Sequence, residues 1–175
     1  MSDQPTNDDL VRRAITGDAP AFGTLYDRTV RLVRAVAADA GPDAADDVTH
    51  DTFLRAYRTL SSLRDPARFA PWLVGIARLV VLERRRARHF DPLPDQTPAQ
   101  AVTDADALDD TRELLRLVAK LPEEERLAVR FFYLNERSIE ETARLLGRSR
   151  SGTYAVLRRA KARLAQWLLE CGVSR

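Results

Sequence analysis

Arginine side chains concentrated in one segment are the residues of this chain best suited to binding chemistry. From Arg144 to Leu164 every charged side chain is basic. Guanidinium groups neutralise nucleic-acid phosphates, and two of their N–H donors can bind one base edge. The segment holds no acidic residue that could neutralise them, which favours DNA as the ligand. The alternative is a solvated, arginine-rich surface without a partner.

Two predicted helices position these arginines. Ser138 can cap the first helix, Glu141 completes a capping box, and Gly147 suits its end. Ser149 can cap the second helix. Its buried face is predicted from residues at helical spacing, namely Thr153, Leu157, Ala160, Leu164 and Leu168. Its opposite face carries Ser151, Gly152, Ala155, Arg158, Arg159 and Arg163. A short turn followed by a basic helix predicts a helix-turn-helix that enters a DNA major groove.

A second basic cluster, Arg84–Arg88, ends a helix predicted to start at Asp65–Pro66. The wide apolar face of this helix comprises Phe69, Trp72, Leu73, Ile76, Ala77, Val80 and Val81. Arg78, Arg85 and Arg88 fall along one side of it. Basic residues near a helix C-terminus also suit the helix dipole. The cluster therefore predicts either a solvated helix end or a second nucleic-acid contact.

One group of acids could in principle hold a metal ion. Asp46, Asp47, His50 and Asp51 are close together in sequence. Their charge is equally explained by a helix N-terminus, together with an ion pair between Asp51 and Arg55 four residues later. The chain has only one cysteine and two histidines, and no second set of ligands accompanies the acids. We predict no metal site, no cofactor, no catalytic residue and no enzymatic activity; the minor alternative is a metal-dependent nuclease that needs Asp47 or Asp51.

The periodic segments predict an all-α fold of two small helical domains. The first covers residues 1–90 and the second covers residues 104–175. An acidic, proline-containing linker at 91–103 joins them, and Asp91–Asp110 contains acids but no bases. The overall charge of +2 therefore conceals strong segregation along the chain.

Helical spacing also predicts which side chains face each core. In the first domain these are Phe22, Leu25, Tyr26, Leu32, Val33, Val36, Val48, Thr52, Phe53, Ala56, Tyr57 and Leu60. In the second domain they are Leu108, Leu114, Leu115, Val118, Leu127, Phe131 and Leu134. The first residues lack the basic and apolar regions of a signal peptide, and no apolar run approaches the roughly 18 residues of a membrane helix. A cytoplasmic protein without membrane insertion is predicted.

Four segments in this order resemble the extracytoplasmic-function (ECF) sigma factors of bacterial RNA polymerase. They are GDAPAFGTLYDR, DAADDVTHDTFLRAYR, RFAPWLVGIARLVVLERRRAR and the stretch from LPEEER to AKARL. The resemblance runs from about Asp9 to Leu169. It implies a protein that binds core RNA polymerase and directs promoter-specific initiation of transcription.

The resemblance also implies roles for individual residues. Those that would contact core polymerase are Asp46, Asp47, Asp51, Thr52, Phe53 and Arg55. Those that would contact the −10 promoter element are Arg78, Arg84, Arg85 and Arg88. Those that would contact the −35 element are Arg148, Arg150, Ser151, Tyr154, Arg158 and Arg159. The linker would run towards the RNA exit path. An anti-sigma factor is a further family-level expectation, for which the sequence has no motif.

The start of the recognition helix departs from the family. Gly152–Val156 replaces a run that commonly reads Thr-Val-Lys-Ser-Arg, so the usual polar and cationic readers are missing. The −35 element would then be bound weakly, or be read through Arg148, Arg150 and Arg158. The alternative function is a stand-alone helix-turn-helix regulator, which binds duplex DNA tightly without polymerase and leaves the N-terminal domain without a role.

Overall fold

The structure, a computed structural model, describes residues 5–90 and 107–170, except for the side chains of 88–90 and 107–110. The chain divides into two compact units, Met1–Phe90 and Asp91–Arg175, called unit 1 and unit 2 below. Every regular element in the described ranges is helical, which confirms the predicted all-α class. The predicted linker at 91–103 and the first residues of the predicted domain at 104–175 lie outside these ranges.

Residues 5–90 of unit 1 form four α-helices. They are α1 (Asn7–Ile15), α2 (Ala19–Ala37), α3 (Pro42–Thr59) and α4 (Phe69–Phe90). Short 3-10 turns lie at Ala38–Ala40, Leu60–Ser62 and Pro66–Arg68. The Asp18 carboxylate caps α2, because it accepts a hydrogen bond from the Ala21 amide at 3.1 Å. The Asp65 carboxylate accepts one from the Ala67 amide at 3.1 Å, which starts the turn into α4.

Helices α2, α3 and α4 pack against one another and α1 covers α2. The largest fully buried side chains of this core are Leu10, Val11, Leu25, Val33, Val36, Val48, Phe69 and Leu73. The predicted burial of Tyr26 and Tyr57 is wrong, since both are exposed. The Tyr57 ring lies edge-on to Phe22 at 5.0 Å and the Tyr26 ring lies 4.4 Å from Phe53. A tyrosine can pack its ring on an apolar neighbour while its hydroxyl stays in water, and residue spacing does not distinguish that position from a buried one.

In the part of unit 2 that the structure describes, residues 107–170, there are four more α-helices and one π-helical segment. They are α5 (Ala107–Lys120), α6 (Glu123–Val129), the π segment (Arg130–Leu134), α7 (Ile139–Leu146) and α8 (Arg150–Glu170). One buried cluster joins α5, α6 and α8 through Val118, Leu121, Val129 and Ala160. A second joins α6, α7 and α8 through Ala128, Ile139, Val156 and Leu157.

Three leucines predicted to face the core of unit 2 do not. Leu114, Leu115 and Leu134 are all exposed, whereas Leu117 is buried. The α5 sequence is apolar on more than one side, so its periodicity is compatible with several rotations of the helix. Contacts with α6 and α8 select the rotation that buries Leu117 and Val118.

The predicted caps of the helix-turn-helix are confirmed. Ser138 and Glu141 form a reciprocal capping box at the start of α7, with distances of 3.1 and 3.2 Å. Gly147 ends α7 in the left-handed conformation, at φ 65° and ψ 34°. The Ser149 hydroxyl accepts a hydrogen bond from the Gly152 amide at 3.1 Å and so caps α8. The turn is therefore fixed by local hydrogen bonds at both of its ends.

Replacing Gly147 with alanine is expected to destabilise unit 2 by about 1–2 kcal/mol, because an L-residue pays that cost in the left-handed region. A Cβ at this position would meet nothing within 4 Å, so the effect isolates backbone strain from crowding. Gly23→Ala is the matched control. Gly23 lies inside α2, also with open space around it, and alanine there should stabilise unit 1 by about 0.5–1 kcal/mol. Hydrogen exchange read by mass spectrometry reports the two units separately, and a Gly147→Ala variant as stable as the parent would contradict the cap.

Among the helices that the structure describes, none is long and apolar enough to cross a membrane.

Candidate nucleic-acid interface

Helix α8 presents part of its surface to solvent directly after the turn at Gly147. The side chains of Ser151, Tyr154 and Arg158 are exposed and recur at spacings of three and four residues, so they share one face. Arg148 and Arg150 are exposed at its start. All six residues predicted for the −35 element, including Arg159, therefore lie on the surface of unit 2.

Arg148 and Arg150 on this surface have acidic partners, contrary to the sequence-based expectation. Arg148 pairs with Glu124 on α6, and Arg150 lies 3.0 Å from the carboxylate of Glu140 on α7. The expectation failed because these carboxylates precede the basic segment in sequence and reach it only through folding. Arg158 is different, since it forms no ion pair with any residue of the described ranges.

Glu125 is a residue that the sequence analysis missed. Its carboxylate lies 3.6 Å from Nε of Arg159 and 3.1 Å from Nε of Arg163, both on α8. Its side chain is only 6% exposed. In the sequence it is one of three consecutive glutamates in the first turn of α6, where all three suit the helix dipole equally. No local feature of the sequence distinguishes Glu125 from Glu123 and Glu124.

In unit 1 the arginines predicted for the −10 element lie on α4, and two of them, Arg84 and Arg85, contact neighbouring elements. Arg84 reaches across to α3, with its guanidinium 3.1 Å from the Asp51 carboxylate and 3.4 Å from that of Asp47. Arg85 donates two hydrogen bonds to the backbone carbonyl of Asp39, at 2.7 and 3.1 Å. Arg78 is exposed. The side chain of Arg88 lies outside the described residues.

The acidic residues predicted to contact core polymerase lie on the surface of α3 and pair with arginines. Asp47 and Asp51 bind Arg84, and Asp46 lies 3.0 Å from Arg34 on α2. Asp51 was predicted to pair with Arg55, but the direct ion pair of Arg55 is with Glu83 on α4 at 2.6 Å, and Asp51 acts on Arg55 only as a further nearby charge. The cross-helix partner is available because α3 and α4 pack against each other.

Thr52 and Phe53, also predicted for polymerase contact, are buried. The Thr52 hydroxyl donates to the Val48 carbonyl at 2.6 Å, which satisfies it within the helix. Phe53 packs against Phe22 and Tyr26. The structure therefore places these two side chains beneath the candidate surface, where they support α3, rather than on it.

The ion pair between Arg55 and Glu83 lowers the pKa of Glu83, chiefly through the hydrogen bond that Arg55 donates. Because the folded-state pKa lies below the ordinary value of 4.5, the contribution of this carboxylate to stability is present above pH 4.5 and is lost as the pH falls through the folded value. Arg55→Met is expected to raise the pKa of Glu83 back towards 4.5, as measured by NMR titration of its carboxyl carbon. Arg31→Met, an exposed site on α2, should leave the Glu83 titration unchanged. A Glu83 titration that Arg55→Met does not move would contradict the pair.

A groove at the entry to α4 is a second feature absent from the sequence analysis. It has a volume of about 380 Å³ and is lined by Leu63, Arg64, Asp65, Arg68, Pro71 and Trp72. Arg64 and Arg68 are exposed, and Trp72 is partly buried with its ring 6.0 Å from Phe69. An aromatic wall beside guanidinium groups suits the stacking of an unpaired base and the binding of its phosphate.

Within the described ranges no cluster of three or more histidine, cysteine, aspartate or glutamate side chains could hold a metal ion.

Comparisons with known proteins agree with this geometry. The family model for Sigma-70 region 2 matches residues 25–90, and that for Sigma-70 region 4 matches residues 111–164. The ECF RNA polymerase sigma factor SigM of Mycobacterium tuberculosis is 32% identical over 174 residues, which cover 97% of this chain and 89% of SigM. The chain belongs to the ECF RNA polymerase sigma factor family.

Two further relatives extend this result. The ECF RNA polymerase sigma factor BldN of Streptomyces coelicolor is 31% identical over 185 residues, which cover 95% of this chain and 67% of BldN. The solved structure of CnrH in complex with the cytosolic domain of CnrY superposes with a TM-score of 0.68 at 26% identity, covering 93% of this chain and 96% of CnrH.

The ECF family predicted from sequence motifs is thus confirmed. As an RNA polymerase sigma factor the protein is a transcription initiation factor, with core RNA polymerase and promoter DNA as its partners. The alternative of a stand-alone regulator is not favoured, because a Sigma-70 region 2 match occupies most of unit 1, for which such a regulator has no use.

Proposed function

We propose that the two units of this sigma factor divide promoter recognition between them. Unit 1 binds core polymerase and the −10 element, and unit 2 binds the −35 element. The observation that carries the proposal is the exposed face of α8, where Ser151, Tyr154 and Arg158 follow a helix-turn-helix turn and meet no acid of the described residues. A recognition helix enters the major groove with such residues near its N-terminus.

For unit 1 the proposed polymerase surface is the acidic face of α3, with Asp46, Asp47, Asp51 and Arg55 as contacts. Thr52 and Phe53 hold that face from beneath. The proposed −10 surface comprises Arg78, Arg84, Arg85 and Arg88 on α4. The groove beside Trp72 extends it, because separated −10 bases need an aromatic wall and nearby cations.

For unit 2 the proposed −35 contacts are Arg148, Arg150, Ser151, Tyr154 and Arg158. Arg159, also predicted from sequence to contact this element, faces Glu125 on α6 and is not included among them. A good bidentate contact with a base discriminates against the wrong base by roughly 1–3 kcal/mol, whereas phosphate contacts add salt-sensitive affinity without sequence information. The small residues around Gly152 leave discrimination to Tyr154 and the flanking arginines. Which arginines read bases and which bind phosphates then depends on which of them are not held by carboxylates of unit 2.

The protein itself makes and breaks no covalent bond in this proposal; nucleotide addition belongs to the polymerase. It acts in the cytoplasm, where bacterial transcription takes place. An anti-sigma factor is a further proposed partner, supported by the structure of CnrH, which was solved with the cytosolic domain of CnrY bound.

Run-off transcription with core polymerase and the purified full chain tests the proposal. Promoter-dependent transcripts from candidate upstream regions are expected only when both components are present. The free protein should bind duplex DNA weakly, whereas a stand-alone regulator binds it tightly. Tight, sequence-specific binding of duplex DNA by the free protein, together with no promoter-dependent transcript, would contradict the proposal.

A further inference from the structure

One buried carboxylate of α6 faces two arginines of the recognition helix. Glu125 lies in the first turn of α6, and its two oxygens face Arg159 at 3.6 Å and Arg163 at 3.1 Å. These arginines are four residues apart on α8, so they lie on successive turns of the same side. Two cations on one helix thus converge on a single anion of another.

The burial of Glu125 makes this arrangement hard to break. The side chain is 6% exposed, and its Oε2 makes no aligned hydrogen bond with any group of the described residues. A buried carboxylate is costly unless nearby charge compensates it. Because directional hydrogen bonds do not satisfy Oε2, the positive charge of Arg159 and Arg163 has to do so. If either arginine moved away to a DNA phosphate, the buried charge of the Glu125 carboxylate would lose part of its compensation, which is unfavourable.

Arg158 provides the contrast. It is adjacent to Arg159 in sequence but points about 100° away around the helix. It is exposed on the face of Tyr154 and Ser151, and it forms no ion pair with the described residues. The side chains of Arg159 and Arg163 are about half exposed, at 53% and 51%, so exposure alone would rank all three arginines as DNA contacts. Only the position of Glu125 separates them.

We propose that Glu125 is a specificity-determining residue that withholds Arg159 and Arg163 from DNA phosphates. The inference rests on the proposed −35 role of unit 2. With two arginines withheld, α8 makes fewer sequence-independent phosphate contacts, and a larger share of its affinity comes from base-reading side chains such as Tyr154. Since phosphate contacts support non-specific binding, removing them from the interface raises the ratio of promoter to non-promoter affinity.

Substitution of neighbouring arginines in the full chain tests this directly. Each variant is combined with core polymerase, and binding to a promoter fragment that supports run-off transcription is measured at several salt concentrations. Arg158→Gln is expected to flatten the plot of log K against log salt by about 0.9, which is the loss of one phosphate contact. Arg159→Gln should leave the slope unchanged. The two substitutions remove the same charge from adjacent positions, so each is the control for the other.

Glu125→Gln provides the opposite change. It removes the negative charge and keeps the shape of the side chain, so both arginines become available to phosphate. The salt slope should steepen by about one to two phosphate contacts. Affinity for a 40-base-pair duplex of mixed sequence should rise more than affinity for the promoter fragment. In the Arg159→Gln background the same substitution should steepen the slope less.

The outcomes separate the possible failures. If Arg159→Gln flattens the slope as much as Arg158→Gln, Arg159 already contacts DNA and the inference is wrong. A folded Glu125→Gln variant with an unchanged slope also overturns it. If neither arginine affects the slope while the protein still supports transcription, the assignment of this face to the −35 element fails instead. Hydrogen exchange in α6 and α8 shows whether Glu125→Gln remains folded, and if it does not, the comparison of Arg158 with Arg159 decides alone.

Discussion

Leu157→Asp is expected to unfold unit 2 and leave unit 1 intact. Leu157 is 6% exposed and packs with Ala128, Ile139 and Val156, at the point where α6, α7 and α8 meet. Truncation of a buried leucine already costs about 2–5 kcal/mol. An aspartate adds a carboxylate for which this apolar cluster offers no partner, so the cost rises further. Small domains are stable by only about 5–15 kcal/mol in total, so the substitution is sufficient to unfold this unit.

Hydrogen exchange of the full chain measures this effect for each unit separately. Protection in α6, α7 and α8 should be lost, while α2 and α3 keep theirs. Leu169→Asp is the matched control, because Leu169 is on the same helix but 82% exposed, and its protection pattern should resemble that of the parent. Retained protection in the Leu157→Asp variant would mean that the buried face of α8 is assigned wrongly.

The second large effect is expected at the ion pair between α3 and α4. Asp51→Arg places a cation beside Arg84, which now lies 3.1 Å from the Asp51 carboxylate. It also reverses the charge on the proposed polymerase surface. We expect binding to core polymerase to weaken by on the order of tenfold or more, because like charges that face each other across an interface cost several kcal/mol. Transcription should fall in parallel.

A charge swap distinguishes the effect of breaking the ion pair between α3 and α4 from the effect of reversing the charge on the proposed polymerase surface. In the double variant Asp51→Arg with Arg84→Asp, the new arginine can pair with the new aspartate and with Asp47 four residues earlier on α3. Contact between α3 and α4 should recover, as seen by hydrogen exchange. Binding to polymerase should remain weak, since the surface charge at position 51 is still reversed. Full recovery of transcription would show that Asp51 acts only through Arg84.

An exposed acid elsewhere in unit 1 controls for net charge. Asp27 on α2 is exposed and has no ion pair with the described residues. Asp27→Arg changes the charge of the protein by the same amount as Asp51→Arg. Polymerase binding of the Asp27→Arg variant is expected to match that of the parent within about twofold, because exposed charges far from an interface are screened by salt.

Local chemistry explains why much of the fold was predictable. Ser138, Glu141, Gly147 and Ser149 form the caps expected of them, because a cap depends on residues within a few positions of one another. The buried face of α8 was also predictable, since Thr153, Leu157 and Ala160 follow a single helical repeat. Four motifs in a fixed order were enough to indicate the family.

Prediction failed where more than one arrangement fits the same spacing. Leu114 and Leu115 were expected inside but are exposed, because α5 carries apolar residues on several sides and only its neighbours select one. Tyr26 and Tyr57 failed for a related reason, since an amphipathic ring satisfies the spacing of a core residue from the surface. The groove beside Trp72 depends on how two short turns approach α4, which no repeat encodes.

The sequence by itself determined an all-helical chain, the turn of the helix-turn-helix, and an excess of arginine on two helices. The tertiary structure decided which of those arginines are free. Glu125 meets Arg163 across 38 positions of sequence and Asp51 meets Arg84 across 33, so neither pair leaves a local pattern to read. The physical reason is that charges interact through space: a helix sets the direction of each guanidinium, but only the packing of a second helix determines whether an acid or solvent lies there.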